Sequence, residues 1–326
     1  MLSMKKILLG MICGACVAWS GAAQAADYPS RPITLIVPFT AGGAFDMVAR
    51  LAAQHLGEEF GKQVIVVNKP GAGGVLGGGI VASSKPDGYT LLMSGTGPIS
   101  IAPAAYSKMS YKPSTDLVPV AQLTASPFVL VTSEKFEGNS AKDVVNLLKG
   151  APGKYNYSST GNGTIVQLFG ELFKAQTDTD FQQIPYPGGA EATTSILQGE
   201  VLFTITNVPN VKGLIDSGRL KALATTGTKR AVCLSSTPTF AESGVPGLEL
   251  QGWTGVFAPK GTPEPIVREL NQKLAKAMQN PDVVARLAQQ CDTPQSPSVE
   301  EFARYVQNSD QKWQAIVRRA NVHIDN

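Results

Sequence analysis

Histidine is almost missing from this chain, with His55 and His323 the two in 326 residues. His55 lies mid-helix beside Leu56 and His323 near the C-terminus, so neither forms a metal pair or an evident catalytic base. Charge is scarce as well. Charged residues make up 16%, 28 Lys+Arg nearly balance 25 Asp+Glu, and no basic run of five or more residues occurs, which argues against nucleic acid as a partner. Low charge with 43% hydrophobic content also excludes intrinsic disorder and leaves ample material for a buried core.

Catalytic and nucleotide-binding signatures are missing too. There is no G-x-S-x-G elbow. The stretch from Gly57 to Lys62 lacks the spacing and the following hydroxyl residue of a Walker loop. Gly71 to Gly77 follows a strand but departs from G-x-G-x-x-G, and the next strand ends at Ser94-Gly95, where a ribose-binding acid would belong. The pairs Glu58-Glu59 and Glu300-Glu301 read as solvated helix faces. The expectation is therefore a protein that is not an enzyme, with no catalytic residue, no metal and no cofactor.

Cysteine is sparse, and half of it falls in a leader pattern that is itself well defined. Lys5 and Lys6 form a basic start, Ile7 to Val17 an apolar run, and Ala23-Gln24-Ala25 a small-x-small cleavage site. Residues 1–25 are expected to leave as a signal peptide, taking Cys13 and Cys16 with them, and the run is too short to span a membrane. A lipoprotein signal ending at Cys16 is the alternative, against which Cys13 stands where leucine would be wanted. Cleavage removes two lysines and no acid from a formal net charge of +3, so the exported protein carries no strong field. Cys233 and Cys291 remain as a candidate disulfide in an oxidising exported compartment, and the sequence leaves open whether their Cα atoms lie within the ~7 Å a bridge demands.

Beyond the leader, short β-rich runs alternate with amphipathic stretches. Ile33–Pro38, Val64–Asn68 and Thr90–Ser94 read as strands, with a helix over Asp46–Phe60 and weak helix potential up to Ser84. Two β-rich runs follow at Val118–Leu123 and Phe128–Ser133, and Ser140 with Asp143 makes a capping box. Strands at Tyr155–Ser159, Phe181–Pro185, Val201–Asn207 and Leu220–Thr225 are separated by helices around Ile165–Lys174, Ala190–Gln198 and Val211–Ser217. After a β-rich run, Leu248–Ala258, the tail is helical: Ile266–Met278, Pro281–Gln290 and Val299–Ala320. The fold class is α/β, with two lobes, each a sheet flanked by helices, and a tail that folds back onto the first. Lobe 1 is expected to hold residues 26–126 plus 251–326 and lobe 2 residues 127–250, with crossings that act as a hinge.

Three strand–glycine–helix junctions are candidates for binding. The first runs from Phe39 through Ala41, Gly42, Gly43, Ala44 and Phe45 to Asp46, where glycine admits a tight turn and aspartate can cap the helix. The second holds Ser158, Thr160, Gly161, Asn162, Gly163 and Thr164, and the third Gly188 and Gly189. Ser94 and Thr96, after the third strand, and Thr206 and Asn207, at the end of a later one, complete the set. Parallel sheets gather such loops at the carboxyl ends of their strands, and amides at a helix start favour an anion. A small anionic ligand is the expectation.

Further motifs carry a resemblance. Tyr28-Pro29-Ser30-Arg31-Pro32-Ile33, Val37-Pro38-Phe39 with Gly42-Gly43 and Asp46, Asn68-Lys69-Pro70-Gly71-Ala72-Gly73-Gly74 and Pro86-Asp87-Gly88-Tyr89-Thr90-Leu91 occur in order. Gly161-Asn162-Gly163, Pro185-Tyr186 with Gly188-Gly189, Pro238-Thr239 with Glu242-Ser243-Gly244, and Phe257-Ala258-Pro259 with Gly261-Thr262-Pro263 follow. Together they resemble the Bug-type solute receptors, the extracytoplasmic substrate-binding components of tripartite tricarboxylate transporters. The resemblance implies a periplasmic-binding-protein (Venus flytrap) fold closing over a small carboxylate. It also implies delivery to a membrane permease of one large and one small subunit. It places one ligand carboxylate on the loop from Phe39 to Asp46, through ordered water, and the second lobe's contribution on Thr160 to Thr164.

The chain departs from the family pattern at three places. Ala41 stands for the usual proline, Phe45 for a small or polar residue, and Ile205-Thr206 for a common Phe-Asp pair. Loss of that acid is expected to disfavour an amine-bearing ligand, and Phe45 to flank a flat body, which leans toward a dicarboxylate, aromatic like terephthalate. A sensory receptor for the same ligand class and an exported enzyme on a carboxylated substrate are the competing readings.

Overall fold

The computed structural model describes residues 28–324. The expected leader, with Lys5, Lys6, Cys13, Cys16 and the site after Ala25, lies outside the described residues. Of these, residues 31–324 form one compact unit. Its elements in chain order begin with β1 (Ile33–Val37), α1 (Ala44–Phe60), β2 (Val64–Asn68), α2 (Val75–Ala82) and β3 (Thr90–Gly95). A π turn at Gly97–Ile101 leads into two one-turn helices, α3 (Ala102–Ala105) and α4 (Pro113–Asp116), and then into β4 (Leu117–Ser126). Next come β5 (Phe128–Ser133), α5 (Ala141–Gly150), β6 (Asn156–Ser159), α6 (Ile165–Thr177), β7 (Gln182–Pro185) and α7 (Gly189–Gln198). The remainder is β8 (Phe203–Asn207), α8 (Val208–Asp216), β9 (Leu220–Thr225), β10 (Gly252–Pro259), α9 (Glu264–Met278), α10 (Pro281–Gln289), β11 (Thr293–Pro294) and α11 (Val299–Arg319).

Two sheets result. The six-stranded sheet runs β11-β4-β10-β3-β1-β2 and the five-stranded sheet β7-β6-β8-β5-β9. Each is parallel on one side, where crossover helices return the chain (β2-β1-β3; β7-β6-β8), and antiparallel on the other. Chain directions put the carboxyl ends of β1, β3 and β4 and the start of β10 along one edge of the first sheet, as the pairs Gly95–Thr254 and Ser126–Gly252 require. In the second sheet, β5 starts beside the ends of β8 and β9, through Phe128–Asn207 and Val129–Thr225. These edges meet because Pro127 alone separates β4 from β5. The chain returns between Thr225 and Gly252, and Phe128 and Thr226 hold the junction: the Phe128 amide donates to Thr226 Oγ1 at 2.9 Å and the Thr226 amide to the Phe128 carbonyl at 2.8 Å.

The expected capping box is present. Ser140 Oγ accepts from the Asp143 amide, and Asp143 Oδ2 accepts from the Ser140 amide. The tail does more than fold back on the first sheet. Phe302, early in α11, packs against Trp253 and Phe257, whereas Trp313, three turns on, meets the ring of Phe169 edge-on at 5.2 Å in the other core. Cys233 and Cys291 are bridged, with Cα atoms 5.2 Å apart, so the segment after β9 is tied to the end of α10.

Candidate functional site

The loop after β1 is shaped by what its polar groups do locally. Helix α1 starts at Ala44, and its N-cap is Gly43, which has no side chain to satisfy the first amides. Asp46, expected as the cap, sits instead in the first turn, 3% exposed, and reaches back: its Oδ2 accepts from the Gly42 amide at 2.9 Å. Arg50 Nε donates to the same oxygen at 2.9 Å, and Asn68 Nδ2 to Oδ1 at 3.0 Å and to the Phe39 carbonyl at 3.1 Å. Hydrogen bonds from Arg50, Gly42 and Asn68 outweigh burial and lower the Asp46 pKa to about 2. Asp46 is thus a permanent anion that consumes the Gly42 amide and leaves the helix start free to face outward.

The loop after β6 has an equivalent brace. Gly161 and Gly163 adopt φ of 108° and 73°, which side chains rarely tolerate. Thr164 caps α6, accepting from the Gln167 amide at 3.3 Å, and its hydroxyl donates to the Gly161 carbonyl at 2.8 Å. Gln167 Oε1 takes the Gly163 amide at 2.6 Å, and Gln183 Nε2 donates to Ser159 Oγ at 2.6 Å and Asn162 Oδ1 at 3.3 Å.

Both loops open onto one cavity of about 760 Å³ where the edges of the two sheets meet, a volume ordinary for a small-molecule site. Of the residues singled out in the sequence, Phe39, Gly42, Gly43, Ala44, Phe45, Thr96, Asn162, Gly163, Thr164 and Asn207 line it. The Phe39 and Phe45 rings are 4.4 Å apart, centre to centre. The others lie outside the lining. Ala41 and Asp46 sit on the loop away from the cavity and beneath it, and Thr160 and Gly161 shape the second loop without lining it. Ser94 is fully buried in β3, and Ser158 is fully buried with its hydroxyl committed to the Ala192 carbonyl at 2.8 Å. Thr206 is 3% exposed inside β8 and does not line the cavity. Gly188 and Gly189 follow β7, the edge strand beyond β6, which carries them past the cavity's end.

Sequence reading missed the floor. Ser126, Pro127 and Phe128 at the crossing, Gly252 to Thr254 where the chain returns, Asn210 at the start of α8, and Gln290 and Asp292 after α10 all line the cavity. Trp253 contributes through backbone, since its ring is buried with Nε1 donating to Ser309 Oγ at 3.0 Å, and its amide donates to Thr96 Oγ1 at 2.9 Å. Asp292 is the one Asp, Glu, Lys, Arg or His among the described lining residues. The described lining residues are mainly apolar and include no Lys, Arg or His, and the glycine-built loops add backbone amides, a chemistry that suits a small anion.

Comparison with known proteins agrees with this geometry. Residues 48–322 match the family model described as "Tripartite tricarboxylate transporter family receptor". The chain belongs to this receptor family. It is 36% identical to Protein BugT of Bordetella pertussis over 97% of this chain and 98% of that protein. Among solved structures, it superimposes on the R. palustris protein Rpa4515 with adipate at a TM-score of 0.77, with 33% identity, 91% of this chain and all of that one covered. It superimposes on MatC from Rhodopseudomonas palustris with bound malate at a TM-score of 0.73, with 30% identity and coverage of 89% and 100%. The receptor is a solute-binding protein of the two-lobed periplasmic type, not an enzyme.

Proposed function

We propose that this receptor captures a small dicarboxylate in the periplasm and delivers it to the two-subunit membrane permease of a tripartite tricarboxylate transporter. One ligand carboxylate sits on the α1 start at Gly43, Ala44 and Phe45, and the loop at Asn162 to Thr164 closes over it from the other sheet. Residues 26–126 with 251–326, and 127–250, are the lobes that close, and the chain reaches the periplasm by cleavage after Ala25. The observation that carries this reading is the uncapped helix start at Gly43 sharing one cavity with the Asn162–Thr164 loop. Adipate and malate, held by the two related structures, are both dicarboxylates. The adjacent Phe39 and Phe45 rings favour a flat ligand body such as terephthalate.

Calorimetric titration of the purified receptor with mono-, di- and tricarboxylates, aliphatic and aromatic, together with aspartate and glutamate, tests the proposal. Micromolar or tighter binding of a dicarboxylate is the expected result. Preference for a mono- or tricarboxylate, or no binding across the panel, would overturn it.

A further inference from the structure

Asp292 lines the cavity beside the end of β4, on the side of the first sheet away from β1. The Ser126 hydroxyl, at the end of β4, donates to its Oδ1 at 2.6 Å. The first sheet runs β11-β4-β10-β3-β1-β2, so three strand spacings separate β4 from β1, on whose end the glycine loop is built; at about 4.8 Å each, that is roughly 14 Å. With a hydrogen bond of about 3 Å at either end, roughly 8 Å remains between a ligand's outer oxygens, the span of extended adipate or of a para-substituted ring.

What Asp292 meets there decides its chemistry. It is 8% exposed, and among the described residues the Ser126 hydroxyl is the hydrogen-bond partner of its carboxylate. Among the described residues that line the cavity there is no Lys, Arg or His. Asp282 and Arg286 on α10 are solvent-exposed, as are Lys229 and Arg230 beside the Val232–Leu234 turn, where Arg230 pairs with Glu242. Cys291 is bridged to Cys233 and does not titrate, and β4, β5 and β10 bring only Ser126, Phe128 and Gly252 to Thr254 to this end. Tyr106 is the other titratable side chain in the lining. Burial raises the Asp292 pKa to about 6, with the Ser126 hydroxyl pulling the other way. A second carboxylate placed against it has one means of avoiding like-charge repulsion in this setting, which is to share a proton.

We propose that Asp292 reads the far end of the ligand by sharing one proton with its distal carboxyl group, so that a dicarboxylate binds with uptake of a proton from solvent. This rests on the dicarboxylate reading above. The proton lies between Asp292 and the distal carboxyl, and the proximal carboxylate stays ionised on the Gly43 loop. A ligand whose far end is a methyl group has nothing to share and binds without proton uptake.

The test uses adipate and, as its single-carboxylate match, hexanoate. Titration calorimetry in phosphate and in Tris, at one pH near 7.5, should show heats for adipate that differ by the buffers' ionisation enthalpies times about one proton, and no such difference for hexanoate. The adipate Kd should rise roughly tenfold per pH unit between pH 7 and 9, the slope of one linked proton. Asp292→Asn should bind adipate with a slope less than about twofold per unit. Adipate binding without proton uptake in the wild-type protein, or an Asp292→Asn slope equal to wild type, would overturn the proposal while leaving dicarboxylate capture standing. The buffer comparison needs no variant, so it decides even if Asp292→Asn does not fold. Failure of adipate, terephthalate and malate all to bind removes the dicarboxylate reading itself, and this inference with it.

Discussion

The amide of Gly42 donates to the carboxylate of Asp46, four residues on, at 2.9 Å, so the first glycine of the binding loop is held from below by a buried anion. That bond, with those from Arg50 and Asn68, fixes the direction in which Gly43, Ala44 and Phe45 present their amides.

Asp46→Asn keeps an acceptor for Gly42 but loses the ion pair with Arg50. It should cost about 1–3 kcal/mol of stability and weaken carboxylate binding by an order of magnitude. The sign with pH follows from the depressed pKa, from 3.8 to about 2. The contribution is complete above the unfolded-state value near 4 and disappears as pH falls through about 2. Thermal melts of both proteins from pH 7 to pH 2 should converge only at the acid end; a constant gap would show that Asp46 acts sterically.

Gly163 adopts φ of 73°, and a Cβ there meets the side chain of Ile324. Gly163→Ala should therefore destabilise the protein by about 1–3 kcal/mol, from backbone strain and the displaced isoleucine. Adding Ile324→Ala should recover part of that loss in a double-mutant cycle, whereas strict additivity would mean that the two do not touch.

Loss of the Cys233–Cys291 bridge by Cys→Ser at both positions opens a link across 58 residues. The expected cost is about 2–4 kcal/mol, measured by urea denaturation. An unchanged midpoint would mean the bridge adds nothing to stability.

Phe45→Ala removes one ring of the Phe39–Phe45 pair. Terephthalate affinity should fall by at least about 1 kcal/mol more than adipate affinity. Equal losses for the two ligands would place the ligand body elsewhere in the cavity.

Much of the architecture was written in local pattern. The strands Val64–Asn68, Phe128–Ser133 and Leu220–Thr225 and the Ser140–Asp143 cap needed only alternation, apolar runs and a hydroxyl–acid spacing. Helix α1 begins two residues earlier than the periodicity suggested because Asp46 reaches back rather than capping forward. The π turn at Gly97–Ile101 and the two-residue β11 are too short to leave a period. Within the site, glycine announced the loops, but their braces did not announce themselves. Gln167, Gln183 and Asn68 are ordinary polar residues until folding brings them beside a loop. Asp292 is harder still, since an aspartate after a helix reads as a solvated turn, and only the crossing at Pro127 and the pairing of β11 with β4 turn it inward.

Helix α11 places Phe302 among the aromatic residues of one sheet and Trp313 among those of the other. Neither half can melt while the other keeps its packing intact, because both would have to surrender the same rigid rod. Heating should therefore produce a single calorimetric peak with matching van't Hoff and measured enthalpies, despite the chain being long enough for two independent transitions.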